Sequence, residues 1–238
     1  WAAPDGQLIS LPATEADGFV VDHLDTVRVR ANLEYLFREE TGLGPLLGTT
    51  VRGFFVDSFE METERHYTDD FVAEFRKRRG YDVVPFMPRL DEHPDVRYDY
   101  RKLIADYVLC EFYEPFTEFS HRRNSYTRVQ CHGAPCDLLA AYTAADVPES
   151  EAILFDPEFS RIPASAAALA GRPVVSAEAF TCLYGWVPYP GPGPHQGEEQ
   201  VADLKLLADA LKARPGVAAR RAGHQQGGSR QAQGAAAA

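Results

Sequence analysis

Cysteine is scarce. Cys110, Cys131, Cys136 and Cys182 are too few and too irregularly spaced over 238 residues to read as a disulfide framework. Cys131-His132 and Cys136-Asp137 invite a zinc site, but no second Cys or His pair at a familiar spacing supplies the other ligands. No run approaches the ~20 apolar residues of a membrane-spanning helix, and no basic-then-apolar leader is present. Cations are also in deficit. Lys plus Arg number 24 against 35 Asp plus Glu, a net charge of −11. That balance disfavours a nucleic-acid partner and an anionic membrane surface. The last stretch, Arg220 to Ala238, lacks any aromatic or β-branched residue. It cannot bury enough apolar surface to offset its ordering entropy, so residues 217–238 read as a disordered tail and 1–216 as the folded region.

What remains is an alternation of short apolar runs and amphipathic segments. Gly18–Asp22, Val51–Val56, Arg128–Cys131, the segment opening at Ala144-Ala-Asp146-Val and Pro173–Ala177 read as strands. Between them, Thr26–Glu40 reads as a helix with Val27, Ala31, Tyr35 and Leu36 on its stripe. Thr68 reads as the cap of a helix that carries Arg76–Arg79 at its negative end and stops at Gly80. A long helical stretch from Tyr98 to Arg122 should kink or break at Pro115. Pro163–Gly171 and the Val201–Leu211 pattern are the last two helices. Strands alternating with helices predict an α/β fold with a parallel sheet.

Two carboxylates stand out on this scaffold. Glu60 ends the run Gly53-Phe-Phe-Val-Asp-Ser-Phe-Glu60, and Glu178 ends Pro173-Val-Val-Ser-Ala-Glu178. The carboxyl end of a buried strand is where an α/β barrel keeps its chemistry. Two carboxylates facing one cleft are the minimum equipment for cleaving a glycosidic bond. Asp57, three residues before Glu60, is a like charge that would raise the pKa of an acid there.

Six motifs in one order carry a resemblance: Gly18-Phe-Val-Val-Asp-His-Leu-Asp25, Phe54-Phe-Val-Asp-Ser-Phe-Glu60, Phe75-Arg-Lys-Arg-Arg-Gly-Tyr-Asp-Val-Val-Pro-Phe-Met-Pro88, Gln130-Cys-His-Gly133, Ala145-Asp-Val-Pro-Glu-Ser-Glu151 and Val175-Ser-Ala-Glu-Ala-Phe-Thr181. From about Leu11 to Thr181 the chain resembles the family 106 glycoside hydrolases, α-L-rhamnosidases and relatives that are usually long multidomain proteins. The resemblance implies an incomplete (β/α)8 TIM-type barrel. Asp22, Asp57, Gln130, Asp146 and Glu178 would then mark its third to seventh strands, with the first two and the eighth missing or degraded. The missing strands and accessory domains would belong to a longer parent chain, exported by analogy with the family.

By the same resemblance Glu60 is the general acid and Glu178 the general base of an inverting hydrolysis of terminal α-L-rhamnosides. Asp22, His23, Asp57, His132, Asp146 and Trp186 are candidate contacts to the carbohydrate. A calcium ion is implied as well, with Glu151 as first ligand and Asp57 or Asp146 as helpers. Sequence spacing does not separate inverting from retaining chemistry, in which Glu178 would be the nucleophile. A non-catalytic sugar-binding remnant and a metal-dependent hydrolase using His23, Asp25 and His132 stay open. So do bland roles: Asp22, His23 and Asp25 as a helix cap, His132 as a satisfied strand-end residue, and Tyr184, Trp186 and Tyr189 as cover for a core edge.

Overall fold

The computed structural model describes residues 6, 8, 17–59, 61, 63, 65–152, 160–180, 185–186, 189–190, 200–212 and 217–221. In chain order the helices are α1 (Thr26–Leu36), α2 (Phe71–Arg79), α3 (Pro94–Tyr107), α4 (Glu114–His121), α5 (Leu138–Ala144), α6 (Arg161–Leu169) and α7 (Val201–Lys212). The strands are β1 (Gly53–Val56), β2 (Tyr126–Gln130), β3 (Val147–Ala152), β4 (Val175–Ala179), β5 (Gly185–Trp186), β6 (Tyr189–Pro190) and β7 (Val217–Arg221). β5 and β6 form a small antiparallel pair. The other five lie side by side as β1-β2-β3-β4-β7, every pairing parallel. Each strand therefore neighbours the next one in the chain of the same sheet. The order does not reverse part-way, as it does in a doubly wound sheet.

The two faces of the sheet differ in chemistry. One face carries Phe54, Val129, Val175 and Ala177, all buried. The Phe54 ring packs on Phe37, Phe116 and Phe119, while Ala177 and Ala179 pack on Leu207 and Leu211 of α7. The opposite face carries Phe55, Arg128, Gln130, Glu149, Glu151, Ser176 and Glu178, which the strand register brings side by side. Side chains alternate strictly along a strand, so one register decision sorts every one of these residues.

Helix ends follow local chemistry. The Asp25 carboxylate accepts the N–H groups of Val27 and Arg28 and caps α1. Gly80 closes α2 at φ 80°, a left-handed conformation that suits glycine. The basic run before it is spent on ion pairs, Arg76 with Asp82, Lys77 and Arg78 with Glu74, and Arg79 with Asp99. The expected break at Pro115 takes the form of a π turn over Val108–Tyr113 that separates α3 from α4. Pro115 has no N–H to donate to the turn before it, and the widened turn is where the hydrogen-bond register changes. Among the described residues no helix is long and apolar enough to cross a membrane.

Several expectations need correction. Gly18–Asp22 does not join the sheet: Phe19 makes an isolated antiparallel bridge with Leu8. Asp22 at its end accepts hydrogen bonds from Leu24 N–H, Thr68 Oγ1 and Arg28. The helix from Thr26 ends at Leu36, and its inward stripe is Val29 and Leu33. Val27, Tyr35 and Leu36 are exposed, because the helix is rotated to lay Val29 and Leu33 against the main core. Thr68 does not cap α2 with its hydroxyl, which donates instead to Asp22. Val217–Arg221, read as the start of the tail, pairs with the edge of β4 as a fifth strand of the sheet. Backbone groups make such a ladder, so an Ala- and Arg-rich segment can form it. Residues 222–238 lie outside the described residues.

Candidate functional site

Polar residues two apart on neighbouring strands build the site. Gln130 of β2 is in register with Glu149 of β3, and Glu149 with Ser176 of β4. Glu151 is in register with Glu178, which in turn faces Arg220 of β7 at the backbone level. Glu149 is 4% exposed, so its charge must be compensated. Its Oε2 takes an ion pair from Arg128 Nε at 2.9 Å and a hydrogen bond from the Ser176 hydroxyl. Its Oε1 accepts from Gln130 Nε2 at 3.4 Å. The same Gln130 nitrogen donates to Glu178 Oε2 at 2.7 Å. Arg128 is itself stacked over the Phe55 ring, 4.1 Å from its centre. A chain of polar and ring contacts thus runs from Phe55 of β1 through Arg128, Glu149 and Gln130 to the Glu178 carboxylate.

Glu178 stands inside β4 rather than at its end, one residue before Ala179. Phe180 follows the end of β4 with φ 70°, an unusual conformation for a bulky residue. The loops leaving β1 and β2 are tied together on the same carboxyl-terminal side. Phe59 N–H donates to the carbonyl of His132 at 2.8 Å. Gly133 follows at φ 76°, and a Cβ there would lie 2.7 Å from the Phe59 carbonyl oxygen. The His132 ring packs edge-on against Tyr142, and burial pushes its pKa down to about 4, so it is neutral near pH 7.

A hollow of about 400 Å³ lies beside these loops, lined by His23, Val29, Val56, Asp57, Phe59 and Phe112 among others. His23 sits edge-on to Phe59 and Phe112. Asp57 is exposed, and its Oδ1 accepts the Ser58 N–H. The polar face therefore offers a half-buried carboxylate hydrogen-bonded to a buried amide, and an apolar and imidazole-lined hollow lies at residues 56–59 after β1.

The chain is similar to known proteins. The α-L-rhamnosidase family of glycoside hydrolases, family 106, matches residues 7–204. The chain belongs to that family. A Formosa agariphila protein named "Putative beta-glucuronidase" is 31% identical over 181 residues, 70% of this chain and 14% of that protein. The structure of a rhamnosidase from Novosphingobium sp. PP1Y is similar with a TM-score of 0.67 and 25% identity, covering 91% of this chain and 22% of its own. The family 106 chain thus spans well under two thirds of either relative.

Within this family 106 chain the predicted residues fall in different places. Glu178 lies on β4, Asp57 and His132 follow β1 and β2, and His23 lies in the turn before α1. Glu60 lies outside the described residues. Trp186 is in β5, and its side chain is outside the description as well. Asp22 is fully buried, and its oxygens accept from Leu24 N–H, Thr68 Oγ1 and Arg28. Burial raises its pKa, against the pull of the Thr68 and Leu24 bonds and the Arg28 charge.

Asp146 was expected to end a strand, but it precedes β3. It holds Thr127, His121 and Arg172 together at the amino-terminal side of the sheet. The reason is local: Thr127 N–H and hydroxyl reach its Oδ2, so the carboxylate seats the start of β3 against the start of β2. Five residues along a strand separate it from Glu151, about 16 Å. The two cannot share a calcium ion. Among the described residues no three His, Cys, Asp or Glu side chains converge as a metal site. Calcium requires a cage of several oxygens, to which Glu151 would bring one carboxylate. Burial raises the Cys131 and Cys136 thiols, Cys136 to about 12, which opposes the thiolate form that zinc binds.

Arg128, Gln130, Glu149 and Ser176 were not among the candidates. Their signal was present as polar residues at period two inside runs that otherwise read as strands: Arg128-x-Gln130, Glu149-x-Glu151, Ser176-x-Glu178. A helix-covered parallel sheet has no solvated face, so such alternation points to a polar interior.

Proposed function

We propose that this chain forms one flank of the sugar-cleaving centre of an α-L-rhamnosidase that hydrolyses terminal rhamnosides by direct displacement with water. The observation that carries the reading is Glu178, held at 2.7 Å by Gln130 on the polar face of β4 in a chain of this family. Glu178 removes a proton from the attacking water, and Glu60 protonates the departing glycosidic oxygen. Inversion requires the two carboxyl groups to stand ~6.5–9.5 Å apart with the water between them. β1, which leads to residue 60, lies three strand spacings from β4, about 14 Å along the sheet. Curling the sheet with its polar face inward shortens that gap. The sequential strand order and the helix-covered outer face support a (β/α)8 barrel in which β1 to β4 serve as the fourth to seventh strands. β7 takes the eighth position. Asp57, His23 and His132 line the approach for sugar hydroxyls.

The test is hydrolysis of an aryl α-L-rhamnoside by this chain, with an aryl β-glucuronide alongside because of the name of the Formosa relative. Glu178→Gln and Glu60→Gln each lower the rate about 10²–10⁴-fold, the span of general acid–base catalysis. NMR of the first sugar released reports the inverted anomer. Turnover that survives Glu178→Gln within a factor of three ends the assignment.

A further inference from the structure

We propose that Gln130 is a positioning residue that aims the Glu178 carboxylate, with Glu149, Arg128 and Ser176 as its anchor. This rests on the reading of Glu178 as the base. Backbone spacing shows why such a device is needed. β2 and β4 are separated by β3, so Gln130 and Glu178 start from strands about 9.6 Å apart. Glu178 also lies two residues further along β4 than Ser176, the residue in line with Glu149 and Gln130. A glutamine side chain that reaches diagonally over β3 is held in that pose only if its amide is fixed at both hydrogens.

The geometry supplies both. One Nε2–H goes to Glu178 Oε2 at 2.7 Å and the other to Glu149 Oε1 at 3.4 Å. Glu149 cannot swing, because Arg128 and Ser176 hold its other oxygen and the residue is 4% exposed. Gln130 is itself fully buried. The choice of an amide is chemical. A carboxylate at this position would repel both neighbours, and a hydroxyl has one proton to donate where two are needed. The orientation of the amide follows from the same argument, since its oxygen turned toward either carboxylate would be repelled. Gln130 touches neither substrate nor water in this role. It sets where the Glu178 oxygens point, and a displacement of about 1 Å in a reacting group costs on the order of 10²-fold.

The experiment uses the whole chain with Gln130→Met, which keeps the length and removes both donors. The expected result is a kcat lowered about 10–100-fold with KM changed less than threefold. A crystal structure of the variant then shows the Glu178 carboxylate displaced by about 1 Å or split between rotamers. Glu149→Gln, which leaves the sheet polar but deprives the Gln130 amide of its anionic anchor, lowers kcat in the same sense. It serves if Gln130→Met fails to fold. A wild-type chain that cleaves no glycoside, together with a displaced Glu178 in the variant, overturns the functional reading and leaves the positioning intact. A Glu178 that keeps its place in the variants, or a kcat within threefold of wild type, overturns the positioning.

Discussion

Gly133→Ala tests whether the loops after β1 and β2 are locked together at the edge of the site. The residue sits at φ 76°, and a Cβ would come 2.7 Å from the Phe59 carbonyl oxygen. That neighbour is backbone, so it cannot rotate away. It belongs to Phe59, whose own N–H is bonded to the His132 carbonyl at 2.8 Å. Alanine therefore meets two costs. The left-handed conformation costs roughly 1–2 kcal/mol for any residue with a Cβ. Relief of the contact must part Phe59 from His132 and weaken a hydrogen bond of about 1 kcal/mol net, with some repacking of the buried Phe59 ring. The total is about 2–4 kcal/mol.

Gly80→Ala supplies the control. Its φ is 80° but nothing lies within 4 Å of the position a Cβ would take. Only the conformational cost applies, roughly 1–2 kcal/mol. Urea unfolding followed by tryptophan fluorescence and circular dichroism separates the two. With a slope of about 2 kcal/mol per molar, Gly80→Ala moves the midpoint down by about 0.5–1 M and Gly133→Ala by about 1–2 M. Equal shifts would refute the reasoning, because they would mean that the Phe59 carbonyl yields freely and that the two loops are not coupled.

Two more substitutions probe the polar groups of the sheet. Asp146→Asn removes a carboxylate whose pKa burial pushes up but which Thr127, His121 and Arg172 together hold below the ordinary 3.8. A lowered folded pKa means the contribution is full above 3.8 and is lost as pH falls through the lower value. The variant is thus about 1–2 kcal/mol less stable at pH 7 and closes on wild type below pH 3.8, read by urea midpoints at pH 7, 4 and 3; parallel curves would refute it. In the second, Arg128→Met leaves the Glu149 carboxylate buried without its cation and costs about 2 kcal/mol, the full buried-pair figure being reduced because Arg128 is 31% exposed. Adding Glu149→Gln recovers about 1 kcal/mol or more of the summed losses in a double-mutant cycle, whereas additivity within 0.5 kcal/mol would show that the pair does not interact.

Much of the scaffold was legible because its signals are local. Gly80 and the basic run before it mark the end of α2, and Pro115 marks the change between α3 and α4. Short apolar runs mark β1 and β2 to within two residues at each end. The rotation of α1 was not legible: Val27, Ala31 and Tyr35 and the true pair Val29 and Leu33 both satisfy helical spacing, and only the core decides between them. Asp146 was misplaced because a carboxylate beside a strand looks alike at either end in sequence. It takes Thr127 and Arg172, far along the chain, to identify the amino-terminal side. The Gln130–Glu149 link is invisible for the same reason, since register between β2 and β3 is a tertiary fact.

The two faces of this sheet explain why polar residues are tolerated at its centre and why they are arranged as they are. A parallel strand flanked on both sides by other strands has its backbone bonds satisfied, so the cost of a polar side chain is that of desolvating its own polar groups. On the helix-covered face that cost is avoided by Phe54, Val129, Val175 and Ala177. On the other face it is met by compensation in series: Arg128 for Glu149, Glu149 for Gln130, Gln130 for Glu178. Each member contacts the one before it, Gln130 Oε1 and Arg128 Nε are left without a hydrogen-bond partner among the described residues, and the chain ends on a half-buried carboxylate. A network built only for stability would be expected to close on itself, because well-packed apolar residues would serve at least as well. One that delivers a fixed charge at its last member has a reason to be polar throughout, and that is the physical case for placing the chemistry at Glu178.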